Sequence, residues 1–269
     1  MKTRFSMFSI FVLLIGVTAC KSAYEQIRSS GEPQKILKAA DKYYAEEDFT
    51  KAQGLYELVI PFYRGKEEAE DLFYKYTYSY YHQGQYLLAA HYFNNFVKTF
   101  YNSVKKEEMA YMSAYSNYKM SPSYKLDQSP SEKAILELQI FINTYPSSPR
   151  VEECNNLMDE LRSKMEKKSF EQGKLYYNLK NYQAAITSFD NTLKDFPETE
   201  RDEEIRFLMI KSSEELAKNS VYEKMKERLD SSIKKCEQFK KRYPNSDKLK
   251  ELDDIVKNCN NELKRFIND

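Results

Sequence analysis

The chain predicts an all-α fold, five stacked helix pairs closed by one further helix. Three observations predict it. The 269 residues include 6 Gly and 8 Pro, about one residue in twenty where ordinary usage gives roughly one in eight, so tight turns have little to be built from. Helix-ending punctuation recurs along the chain, and between these marks apolar residues keep three- and four-residue spacing. Sandwiches of short strands and glycine-rich nucleotide loops fit such a composition poorly.

The first element is an address. Lys2 and Arg4 precede an apolar run from Met7 to Val17, too short for a stable membrane span and suited to a secretory signal. It ends in Val17-Thr18-Ala19-Cys20, which resembles the bacterial lipobox, where small residues fit the lipoprotein signal peptidase and the cysteine thiol accepts a diacylglyceryl group. An ordinary signal ending near a cysteine is the competing reading, and the placement of Cys20 favours lipidation. Cleavage would leave residues 1–19 as signal and 20–32 as a lipidated tether. The acyl chains would then hold the protein at a membrane without a transmembrane helix. Lys21 and Ser22 follow the cysteine, and the absence of Asp at the second position removes an inner-membrane retention cue. Localisation is therefore expected at the outer membrane, on its periplasmic face.

The repeats follow in order. Their second helices carry an aromatic or polar residue, a small one three on and a large one four further: Phe49, Ala52 and Tyr56; Tyr86, Ala89 and Phe93; Ser131, Ala134 and Leu138; Tyr182, Ala185 and Phe189. That spacing puts a notch and a knob on one helix face. The first helices carry Ala40 and Tyr43, Thr77 and Tyr80, Ala114, and Gly173 and Tyr176 at matching positions. Each pair ends on an apolar residue, usually a proline, and a residue able to cap the next helix: Phe96 to Tyr101-Asn102-Ser103, Phe141 to Tyr145-Pro146-Ser147-Ser148, Leu193 to Phe196-Pro197-Glu198-Thr199, and Phe239 to Tyr243-Pro244-Asn245-Ser246. A period of roughly 34 residues with this signature is that of tetratricopeptide repeats, which bury their apolar faces by stacking.

Repeats are expected at 33–66, 70–103, 107–148 and 166–199, with a degenerate fifth at 202–246 in which Ser232 and Cys236 replace the usual small and large residues. Leu249, Leu252, Ile255, Val256, Cys259 and Leu263 mark the closing amphipathic helix of a solenoid, within 247–269. The third repeat holds an insertion from Ser121-Pro122 to Ser129-Pro130, either an interaction site or a tolerated loop. Val151, Cys154, Leu157, Met158, Leu161 and Met165 keep helical spacing into Phe170 without a breaker, so one long helix should join repeats one to three (33–148) to the connecting helix and repeats four and five (149–246).

Chemistry is sparsely supplied. Lys and Arg number 42 against 41 Asp and Glu, mixed along helix faces in the solvated pattern, so no basic block points to nucleic acid. Two histidines, His82 and His91, and four scattered cysteines make no metal constellation. No carboxylate pair sits on an irregular loop, so an envelope hydrolase is disfavoured, and neither catalytic residue, metal nor cofactor is expected. Cys236 and Cys259 flank the turn at Pro244 and leave two readings, a disulfide or buried thiols, of which the apolar stripes around them favour the second.

Counting along the first helices, the positions facing a concave groove are Leu37, Asp41 and Tyr44 in the first repeat, Tyr74, Tyr78 and Tyr81 in the second, and Tyr111, Tyr115 and Tyr118 in the third. Tyrosine offers a large face at low entropic cost and a hydroxyl that tolerates water, as recognition surfaces require. The other reading is that these rings pack between helices.

In order along the chain, the lipobox, the first repeat soon after it, Asp127-Gln128-Ser129 ahead of the helix ending at Tyr145-Pro146-Ser147-Ser148, the long connecting helix, and Tyr176-Tyr177 through Tyr182 to Phe196-Pro197-Glu198-Thr199 resemble the BamD family, lipoproteins of the β-barrel assembly machinery. The tyrosine-rich first half and divergent fifth repeat depart from it. The resemblance implies a non-enzymatic scaffold that docks on the periplasmic domains of BamA through its C-terminal half. Its N-terminal half would receive unfolded outer-membrane β-barrel proteins, whose aromatic, apolar signal suits a tyrosine groove. Further accessory lipoproteins are candidate partners. The alternative is another envelope repeat adaptor, such as a Tol-Pal or cell-wall coordinator, although those usually begin with a coiled coil.

Overall fold

A computed structural model describes residues 22–266; Cys20 lies outside them. All regular structure among the described residues is helical: α1 (Ala23–Arg28), α2 (Pro33–Ala45), α3 (Phe49–Tyr63), α4 (Ala69–His82), α5 (Tyr86–Thr99), α6 (Lys106–Lys119), α7 (Ser129–Thr144), α8 (Val151–Asn178), α9 (Tyr182–Asp195), α10 (Asp202–Lys218), α11 (Tyr222–Arg242) and α12 (Leu249–Leu263), with a short 3₁₀ turn at Lys264–Phe266. The five helix pairs and the closing helix are all present. None of these helices is long and apolar enough to cross a membrane.

The described residues divide into two compact units, 22–120 with 137–146, and 121–136 with 147–266. In the first, α2 packs on α3, α3 on α4, α4 on α5 and α5 on α6; in the second, α8 through α12 pack in the same consecutive way. The 28-residue α8 runs without a break and lies wholly within the second unit.

The notch-and-knob register sets the packing. Ala52, Ala89, Ala134 and Ala185 are fully buried, as are their knobs Tyr56, Phe93, Leu138 and Phe189. In the degenerate fifth pair Ser232 and Cys236 occupy the same positions and are equally buried. Gly173 is the small residue of the fourth pair because Phe189 leaves no room: an added Cβ would stand 2.4 Å from the ring.

Two local devices repeat. Between the helices of pairs one, two and four the chain turns through a left-handed residue, Glu47 (φ 60°), Gly84 (φ 72°) and Lys180 (φ 59°). There the N–H groups of Asp48, Gln85 and Asn181 donate back to the carbonyls of Tyr43, Tyr80 and Tyr176 at 2.9, 3.0 and 2.9 Å, satisfying helix ends that would otherwise be orphaned. At the end of a pair, a hydroxyl ties back to the glutamate that opened it. Ser103 Oγ donates to Glu70 at 2.7 Å, Thr199 Oγ1 to Glu166 at 2.5 Å and Ser246 Oγ to Glu203 at 2.7 Å. Each hydroxyl also accepts from the backbone N–H two residues on. The Glu166 clamp marks where the fourth repeat begins inside the unbroken α8.

The insertion is not a free loop. Ser121 Oγ accepts from Lys164 Nζ at 2.7 Å, the Leu126 carbonyl accepts from Lys168 Nζ at 2.6 Å, and Lys167 lies 4.5 Å from the Tyr124 ring. Gln128, buried, closes it from inside by donating to the Ser123 and Leu126 carbonyls.

Candidate functional site

The tyrosines singled out in the sequence lie on α2, α4 and α6 of the first unit, the first helices of three successive pairs. Their four-residue spacing brings neighbours along one helix together, and stacking of equivalent helices brings neighbouring helices together. On α4, the Tyr74 and Tyr78 rings are 4.7 Å apart and Tyr81 meets Tyr78 edge-on at 6.4 Å. On α6, Tyr111 stacks on Tyr115 at 5.6 Å and Tyr115 on Tyr118 at 5.6 Å. Tyr81 and Tyr115, 6.5 Å apart, link the two helices into one run of six rings.

Exposure sorts them. Tyr74, Tyr78, Tyr81, Tyr115 and Tyr118 are half-buried, offering part of each ring to solvent. Tyr111 is only 3% exposed and packs edge-on against Phe141 at 5.7 Å, so it backs Tyr115. Tyr44 is half-buried, with its ring contacts to Phe49 and Tyr56. Other tyrosines serve the interior: Tyr76 and Tyr80 are buried and share a hydrogen bond of 3.0 Å between their hydroxyls.

An acceptor absent from the sequence reading organises the face. Glu108, on the first turn of α6, takes hydrogen bonds on one carboxylate oxygen from Tyr74 (3.1 Å) and Tyr78 (2.5 Å). Burial, then the nearby Glu108 charge, pushes the Tyr74 hydroxyl up to about 12. Burial and the bond to Glu108 push Tyr78 upward as well. Both phenols thus stay protonated donors at any physiological pH. Lys105 lies 4.4 Å from the Tyr74 ring, a cation over its π face.

Beside the rings runs a charged chain. Asp41 accepts from Tyr56 at 2.8 Å and from Lys75 at 2.9 Å, and Lys75 also pairs with Asp71 at 2.7 Å. Asp71 in turn meets Lys105 at 3.4 Å; burial acts to raise its pKa, but the bonds from Lys75 and Lys105 leave it lowered. The bonds Asp41–Lys75, Tyr74–Glu108 and Asp71–Lys105 each join residues 34 apart. That offset is the signal that finds Glu108: a donor in one repeat and an acceptor one period later.

The remaining candidates carry no chemistry of their own. His82 stacks on Phe49 at 4.4 Å, and loss of water there lowers its pKa. His91 lies edge-on to Tyr92 at 5.1 Å. Cys154, Cys236 and Cys259 are buried and free, and burial raises the Cys236 thiol to about 12 and the Cys154 thiol to about 11, so neither is a nucleophile. Among the described residues no group of three His, Cys, Asp or Glu is placed to hold a metal.

With this geometry in hand, comparison with known proteins adds the following. The family described as YfiO, outer membrane lipoprotein, matches residues 29–229, three quarters of the chain. Comparison with curated proteins finds no match. Among solved structures, a complex of the TPR2AB domain of yeast Sti1 with pHSP90 is similar, with a TM-score of 0.38 and 13% identity over 85% of this chain and 98% of that one.

Proposed function

The chain belongs to the YfiO family of outer membrane lipoproteins, and from that premise we propose that it is a scaffold of the β-barrel assembly machinery that receives unfolded outer-membrane proteins on its tyrosine face. Lipid on Cys20 tethers it to the periplasmic face of the outer membrane, and its C-terminal repeats dock on the periplasmic domains of BamA. Tyr44, Tyr74, Tyr78, Tyr81, Tyr115 and Tyr118 supply the receiving surface, with Tyr111 behind them. The protein acts by binding, without a cofactor.

The observation that carries this reading is the continuous run of rings from Tyr74 to Tyr118 across α4 and α6, all but Tyr111 partly exposed. A surface serving only solubility would not gather such rings. A client segment with aromatic and apolar side chains gains ring contacts there and finds hydroxyls for its unpaired backbone groups.

The test replaces Tyr115 and Tyr118 together by Ser and measures binding of a peptide copying the C-terminal strand of an outer-membrane barrel protein. Binding weakened about tenfold or more, with helicity and melting temperature unchanged, supports the face as a receptor. Tyr78→Phe, which keeps the ring, should bind nearly as wild type. Retained binding by the double variant, or unfolding that accounts for the whole loss, overturns the proposal.

A further inference from the structure

In the second unit, a cavity of about 650 Å³ lies between α9, α10 and α11, and its lining joins two chemistries. Met209, Ile210 and Phe239 give it an apolar floor, while Arg206, Lys235, Lys241 and Arg242 bring four cations to it against one carboxylate, Asp190. Asp190 is itself engaged by Lys194 at 2.5 Å. Arg206 and Arg242 both lean on Asp202, each at 3.0 Å, so two guanidinium groups share one carboxylate.

Lys235 is the informative residue. Its ammonium is held by hydroxyls, Ser213 at 2.9 Å and Ser231 at 3.4 Å, and among the described residues no carboxylate stands within ion-pair distance. A partly buried ammonium hydrogen-bonded by hydroxyls, with Asp190 acting on it only through space, is costly to a fold. Burial lowers its pKa, and the nearby Asp190 charge offsets that only in part.

We propose that this cavity binds an acidic peptide segment of a partner protein, one carboxylate seated between Lys235 and the Arg206–Arg242 pair and a neighbouring apolar side chain on Met209 and Phe239. The volume lies in the range that takes a few residues rather than a lone ion. Paired guanidinium forks suit carboxylates. The apolar floor argues for an amphipathic ligand over a bare phosphate, and Asp190 offers an acceptor for a peptide N–H. The inference stands whether or not the tyrosine face receives clients.

The experiment uses the full mature chain and a fluorescein-labelled hexapeptide alternating Glu with Leu, its Gln-for-Glu twin, and inorganic phosphate as competitor. The acidic peptide should bind about tenfold or more tighter than the Gln twin, and Lys235→Met should erase that preference. The same variant should melt no lower than wild type, since it removes a partly buried charge that is held by hydroxyls without a direct ion pair. Lys98→Met, on the exposed side of α5 in the other unit, controls for net charge and should leave binding unchanged. Equal or absent binding of the two peptides, an unaffected Lys235→Met, or displacement by phosphate at equimolar concentration would each overturn the proposal, the last leaving a simple anion site.

Discussion

At the residue scale the packing is decided by single atoms. Gly173 sits in mid-helix, where alanine normally gains about 1 kcal/mol through helix propensity. Here the gain is outweighed, because the Cβ would stand 2.4 Å from Cε1 and 2.5 Å from Cδ1 of a Phe189 that is itself fully buried and cannot swing away. Overpacking of this kind costs roughly 1–3 kcal/mol, so Gly173→Ala should lower stability by up to about 2 kcal/mol net despite the better helix former. Urea unfolding checks it, and an unchanged or raised midpoint would show that the fourth pair is looser than these distances say. The counterpart on the tyrosine face is Glu108, whose one carboxylate oxygen gathers two phenol donors. Such a residue is invisible to a search for aromatic stripes, because its own helix offers it no partner and the hydroxyls come from the repeat before.

At the element scale the turns between paired helices share one hydrogen-bonding pattern but not one residue. Gly84 adopts positive φ freely, whereas Glu47 and Lys180 hold the same left-handed conformation with a Cβ in place, at a cost of roughly 1–2 kcal/mol each. Lys180→Gly should therefore stabilise the protein by about 1 kcal/mol, partly offset by the freer unfolded chain, and Gly84→Ala should destabilise it by a similar amount. Thermal melts of the pair read the opposite signs; shifts in the same direction would remove the backbone explanation. These turns also show what was legible in sequence. Pairs one, two and four, whose turns are short and alike, keep the period, and their helices fall where the spacing of Ala52, Ala89 and Ala185 puts them. Pair three departs because its insertion replaces the turn. The lysines that hold that loop, Lys164 and Lys168, lie 42 or 43 residues away from their partners, and no local pattern announces them. The fifth pair was legible through its end at Phe239 to Tyr243-Pro244-Asn245-Ser246, and buried Ser232 and Cys236 keep the notch and knob positions while changing chemistry.

At the scale of the whole molecule, the near-balance of 42 basic and 41 acidic residues conceals local imbalance. Cations and carboxylates interleave along Asp41, Asp71, Lys75 and Lys105, yet four cations converge on the cavity between α9, α10 and α11. Composition could not reveal that convergence, because Arg206 and Lys235 belong to helices brought together by folding. In the lipoprotein reading, attachment to the membrane falls to a residue outside the described ones. Among those described, no helix can cross a bilayer, so in the lipoprotein reading the acyl chains on Cys20 carry the anchoring, each buried methylene contributing about 0.8 kcal/mol. A serine there offers no thiol to acylate. Cys20→Ser should accordingly lose its acyl label and shift from the detergent phase to the aqueous phase on Triton X-114 partition, while the folded chain keeps its helicity and its affinity for the barrel-strand peptide. A variant that still enters the detergent phase after its leader is removed would place the membrane contact elsewhere on the protein.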